Sequence, residues 1–137
     1  MIAYNSETDF NLQNDVLISN WIIQTIENEN FKLGEINYIF CSDDYLLEKN
    51  IQFLNHDTLT DIISFDYTMG KLISGDIFIS TDRVKENAQK FGVSFSNELH
   101  RVMIHGILHF CKYKDKTSEE KEQMRSKENY YLSKLDL

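Results

Sequence analysis

Apolar residues recur at two different periods along this chain, and the alternation between the periods sketches its fold. Leu17, Ile18, Trp21, Ile22 and Ile26 fall at helical spacing and predict a helix over about 14–29. A second helix is expected over 43–54, opened by Ser42, and a third over 82–91, entered through Ser80 and Thr81 and closed by Gly92. A long apolar helix is expected over 97–111 with Ser96 as its cap. Thr117-Ser118-Glu119-Glu120 has the S/T-x-x-E form of a capping box and opens a last helix to about 135. Strands are expected over 2–4, 36–41 (with Gly34 before it), 61–67 and 72–80. Thr68 to Lys71 separate the last two strands and suggest a hairpin. The pattern is that of an α+β fold, one compact domain over 1–137 with a small mixed sheet packed with about five helices.

Composition narrows this without changing it. With 42% hydrophobic and 26% charged residues, the 137-residue chain is large enough to bury a core without disulfides or metal staples. No apolar run approaches the roughly 20 residues that cross a bilayer. The first ten residues lack the basic and apolar regions of a signal peptide, so the expected location is the cytoplasm. Cys41 and Cys111 are far apart and read as free thiols. Net charge is −8, which argues mildly against nucleic acid, but it is unevenly spread. Residues 1–70 hold 2 basic and 12 acidic side chains, whereas residues 71–137 hold 12 and 10. Lys112, Lys114 and Lys116 are either a local positive field or a solvated helix end favoured by the helix dipole.

Those lysines flank the chemistry-bearing cluster. His105 and His109 are four apart on the apolar helix, about 40° apart around its axis, so both imidazoles leave from one face. Asp115 follows where the helix ends and the chain turns back. Three protein ligands with an open fourth position form a catalytic rather than structural Zn²⁺ arrangement, one ion per chain. The competing reading is a pair of packed, hydrogen-bonded histidines. Gly106 favours the first, because glycine inside a helix costs about 0.5–1 kcal/mol relative to alanine and something close must need the space. The same glycine occupies the position of the glutamate in His-Glu-x-x-His metalloproteases, which removes the usual general base of that mechanism. Glu98, seven residues before His105, is either a carboxylate that orients a ligand or a first-turn acid. His100 points elsewhere on the helix and is read as a surface or packing residue, and Cys111, two residues after His109, faces away from it and is not read as a ligand.

These residues resemble the YbeY family of single-domain, metal-dependent endoribonucleases. The family signature runs His-Gly-x-Leu-His-Leu-x-Gly-Tyr-Asp-His, and His105, Gly106, Leu108, His109 and Tyr113 match it, with Phe110 in place of a leucine. Thr60-Asp61-Ile62-Ile63-Ser64-Phe65 and Gly75-Asp76-Ile77 resemble two further family segments, with weaker echoes at Asn50, Met124 and Glu128. The resemblance implies cleavage of single-stranded RNA, a role in ribosomal RNA maturation and ribosome quality control, and a metal cleft beside the ligand helix. It implies that His105, His109 and Asp115 hold the metal and that Asp61 and Ser64 position substrate. Among the departures from the family, Asp115 replaces its third histidine, Lys112 replaces a glycine, and Leu54 aligns with an arginine. Leucine cannot hold a phosphate, so His56 and Lys112 are candidate replacements, and Lys112 implies a helix end without a left-handed residue. The alternatives are a ribosome-associated binding protein with a structural or vestigial metal, or a metal hydrolase of another phosphoester or an amide.

Overall fold

The structure, a computed structural model, describes residues 1–55 and 59–136. Its elements follow the order β1 (Ile2–Ser6), α1 (Asp15–Asn28), β2 (Lys32–Cys41), α2 (Asp43–Leu54), β3 (Ile62–Asp66), β4 (Leu72–Ser80), α3 (Thr81–Phe91), α4 (Phe95–Phe110) and α5 (Ser118–Ser133). The four strands form one mixed sheet in the order β1-β2-β4-β3. β1 and β4 run parallel to β2, and β3 closes the sheet antiparallel to β4 as the expected hairpin.

Strict alternation along the strands divides the sheet into two faces. Ile36, Tyr38 and Phe40 of β2 and Ile73, Ile77 and Ile79 of β4 join the main core with α1, α4 and α5. Leu46 of α2 covers the opposite face with Cys41 and Ile63, against Tyr45, Phe65 and Phe78. Tyr38 Oη donates to the Met103 carbonyl at 2.9 Å, tying α4 to the sheet. Trp21 Nε1 donates to the Tyr131 carbonyl at 2.7 Å, tying α5 to α1. Both cysteines are free and buried, and burial pushes their thiols up to about 12. Among the described residues no helix is long and apolar enough to cross a membrane.

Several boundaries move from the sequence expectation. α4 starts two residues early because Ser94, not Ser96, caps it, its Oγ accepting from Asn97 N at 3.0 Å. Phe95 is thereby placed against Phe10, with ring centroids 5.8 Å apart. β2 gains its first residues across an irregularity between Leu33 and Ile36, so Gly34 lies inside the strand rather than before it. On α1, Leu17 is exposed and Thr25 takes a buried position, donating to the Trp21 carbonyl at 2.9 Å.

The end of α4 corrects a second expectation. Lys112 does adopt the left-handed conformation, with φ 79°. Its N–H bonds to the His109 carbonyl at 3.0 Å, and Tyr113 N–H reaches back to Leu108 at 3.1 Å. Those two bonds make a Schellman motif with lysine where glycine is the usual occupant. The turn sends the chain back toward the histidines, and Thr117 and Glu120 then form the reciprocal capping box of α5.

Candidate metal centre

The site begins with the close approach of α4 to the sheet. A Cβ on Gly106 would meet Ile77 Cδ1 at 3.0 Å and Ile62 Cδ1 at 3.2 Å, so the glycine answers to packing. Phe110, one helical turn on, lies over Gly75, where a Cβ would come within 2.5 Å of its ring. With the Gly106 side of the helix seated, His105 and His109 leave half-buried from another face, ring centroids 4.7 Å apart.

Asp115 returns to meet them. Its Oδ2 lies 3.2 Å from His105 Nε2 and 3.3 Å from His109 Nε2, and one ligand atom from each residue lies within 4.8 Å of the others. Ligands held about 2.0–2.1 Å from a tetrahedral zinc sit about 3.3 Å from one another, so the donor set and both spacings fit that ion. The half-buried histidines and Asp115 border a cleft of about 490 Å³, which leaves the fourth direction open.

Behind His105 stands a glutamate from the last helix. Glu128 Oε2 accepts from His105 Nδ1 at 2.6 Å, while its Oε1 accepts from Arg101 at 2.9 Å. A proton held on Nδ1 leaves the Nε2 lone pair facing Asp115, the tautomer that a metal requires. Burial opposes ionisation of Glu128, but the bonds from His105 and Arg101 outweigh it and hold its pKa below the usual carboxylate range. Burial likewise opposes protonation of His105, yet Glu128, Asp115 and Asp61 outweigh it and raise its pKa.

The opposite wall is built differently. Asp61 and Ser64 line the cleft from β3 and the residue before it, together with Thr60. Asp61 fixes its position through its backbone carbonyl, which accepts from Ser80 N at 3.0 Å. Burial raises its carboxyl pKa, with His105 acting in the opposite sense. Glu98 also lines the cleft, buried in the first turn of α4, and burial followed by repulsion from Asp61 raises its pKa. The carboxylate bonded to His105 is therefore Glu128 and not Glu98.

Other expectations separate cleanly. His100 is buried against Trp21, ring centroids 6.3 Å apart, and burial lowers its pKa, so it is a packing residue. Lys112, Lys114 and Lys116 are exposed, and none of them lines the cleft. His56 lies outside the described residues. Among the described residues the cations that do line the cleft are Arg101 and Arg125, which sequence reasoning missed. The available signal was α5 itself, whose buried positions Met124, Glu128 and Tyr131 set a glutamate in an otherwise core-facing stripe.

A family model described as Endoribonuclease YbeY matches residues 2–136. A Flavobacterium johnsoniae protein named Endoribonuclease YbeY is 57% identical over 129 residues, covering 94% of this chain and 93% of its own length. A Cytophaga hutchinsonii protein of the same name is 50% identical over 131 residues, covering 95% and 92%. The solution structure of TM1509 from Thermotoga maritima superposes with a TM-score of 0.71 at 28% identity, covering 98% of this chain and 89% of that one.

Proposed function

The chain belongs to the YbeY endoribonuclease family, and from that premise we propose that it is a zinc-dependent endoribonuclease of single-stranded RNA. The observation that carries the reading is the meeting of two imidazole Nε2 atoms and one carboxylate oxygen at an open cleft. A Zn²⁺ held by His105, His109 and Asp115 would polarise the scissile phosphate or lower the pKa of a bound water. Glu128 keeps the proton on His105 Nδ1 and so aims Nε2 at the metal position. Ser64 donates its hydroxyl to the RNA backbone from the β3 wall. Asp61, raised by burial, holds a proton more readily than an exposed aspartate and positions substrate beside it. One domain carries all of these groups. The cellular setting that this reading implies is maturation of ribosomal RNA precursors and ribosome quality control in the cytoplasm.

The test is zinc per chain by elemental analysis beside cleavage of labelled single-stranded RNA, for the native chain and Asp115→Ala. Both quantities should fall together in the variant, cleavage by at least about tenfold, since loss of a mere supporting group costs 10–100-fold. Full cleavage by a zinc-free variant would end the mechanism. Zinc retained equally in both proteins would remove Asp115 from the ligand set. Net charge of −8 and an aspartate as third ligand favour a second reading, a ribosome-associated binding protein with a structural metal. In that case His105→Ala would lower thermal stability while RNA cleavage stayed at background in native and variant alike.

A further inference from the structure

Among the described residues RNA entering this site meets four carboxylates, Asp61, Glu98, Asp115 and Glu128, and its polyanionic backbone needs compensating cations. Arg101 is committed: its two terminal nitrogens donate to Glu128 at 2.9 Å and to Asn129 at 2.8 Å. Arg125 is not. Its side chain is 58% exposed, it makes no hydrogen bond among the described residues, and its nearest charge is Glu128 at 3.7 Å.

Arg125 also occupies a particular place. It lines the main cleft and, in addition, a second depression of about 300 Å³ formed with His105, Asp115, Lys121, Met124 and Glu128. The two depressions therefore share His105, Asp115, Arg125 and Glu128, so the metal position lies where they meet. Lys121 is exposed, four residues before Arg125, on the same face of α5. A strand lying in the cleft with its reacting phosphate at His105, His109 and Asp115 continues past Asp115 over these two cations.

We infer that Arg125 and Lys121 form a phosphate track on α5, contacting the RNA backbone next to the phosphate that reacts. The inference rests on the RNA-cleaving reading above. Arg125 offers a planar fork that pairs two phosphate oxygens, and Lys121 a point charge for the next phosphate along. Both residues bind substrate without holding the metal.

The decisive experiment follows steady-state cleavage of a labelled single-stranded RNA by zinc-loaded protein at several salt concentrations. Native chain, Arg125→Ala, Arg125→Lys and Lys121→Ala are compared, with zinc content measured for each. Arg125→Ala should raise KM about tenfold with little change in kcat, in line with loss of one charged hydrogen-bonded contact. The slope of log kcat/KM against log salt should shrink by about 0.7 for each cation removed, and Arg125→Lys should restore the slope. A native enzyme that cleaves while both alanine variants keep its KM and slope overturns the track and leaves the ribonuclease reading standing. Loss of zinc from Arg125→Ala also overturns it, by showing that the arginine acts through Glu128. A zinc-loaded native chain that cleaves no single-stranded RNA overturns both.

Discussion

Two buried glutamates line the cleft in opposite electrostatic states. Glu128 of α5 is bonded to both His105 and Arg101, and its pKa is lowered. In the first turn of α4, two helical turns before His105, burial and then the neighbouring Asp61 raise the pKa of Glu98. Both residues are 5% exposed, so burial alone does not separate them; their partners do. A fully partnered carboxylate fixes the geometry of what it touches, whereas an under-partnered one carries unspent capacity to accept hydrogen bonds. Glu128 is suited to fixing the imidazole it touches, and Glu98 to meeting a group that enters the cleft.

The largest effect should come from breaking the partnered glutamate. Glu128→Gln keeps the volume but removes the charge that selects the His105 tautomer and pairs Arg101. Zinc affinity should fall about 10–100-fold, measured by competition with a chelator of known affinity. The matched change Glu98→Gln should leave zinc affinity within about threefold of native, because Glu98 makes no hydrogen bond to a ligand. Equal losses in the two variants would erase the distinction between the two glutamates.

A smaller effect should appear in the pH dependence of stability. The raised folded pKa of Glu98 means that the unfolded chain gives up this proton first as pH rises. Glu98 therefore costs nothing below its ordinary value of 4.5, and stability falls as pH climbs from there through the folded pKa. In metal-free protein, Glu98→Gln should raise Tm by a few degrees at pH 8 and have little effect at pH 4. Glu128 works in the opposite sense: its lowered pKa gives stability above 4.5 that is lost as pH falls through the folded value. Thermal melts at the two pH values, native beside variant, would sharpen or dissolve the contrast.

How much of this could be read from the chain depends on how local each cause is. α2 (Asp43–Leu54) and β4 (Leu72–Ser80) fall where the pattern puts them, since a Ser42 cap and strict alternation act within a few residues. The α4 start does not. Ser94 and Ser96 are both competent caps, and the choice goes with Phe95 packing on Phe10, more than eighty residues away. The convergence of His105, His109 and Asp115 is legible because one helical turn and one return turn suffice to produce it. Glu128 showed in the sequence only as a weak family echo and Arg125 did not show at all, because their place in the site depends on how α5 crosses α4. The same holds for Lys112, whose left-handed backbone is unfavourable for a lysine and exists because the following residues bond elsewhere.

That residue supports the smallest and most specific prediction. Tyr113 is held at both ends, its N–H on the Leu108 carbonyl and its hydroxyl on Glu29 Oε1 at 2.7 Å. With Tyr113 so anchored, position 112 has to turn left-handed for Asp115 to come back over the imidazoles. A side chain there costs about 1–2 kcal/mol, and glycine gives back part of that gain through its freer unfolded state. Lys112→Gly should therefore stabilise the fold by a net of about 0.5–1 kcal/mol in urea unfolding, with zinc content unchanged. Lys112→Ala removes the same charge but keeps the strain, so it should give no such gain. Equal stabilisation by both would assign the effect to charge, and the turn that delivers Asp115 would then be unstrained.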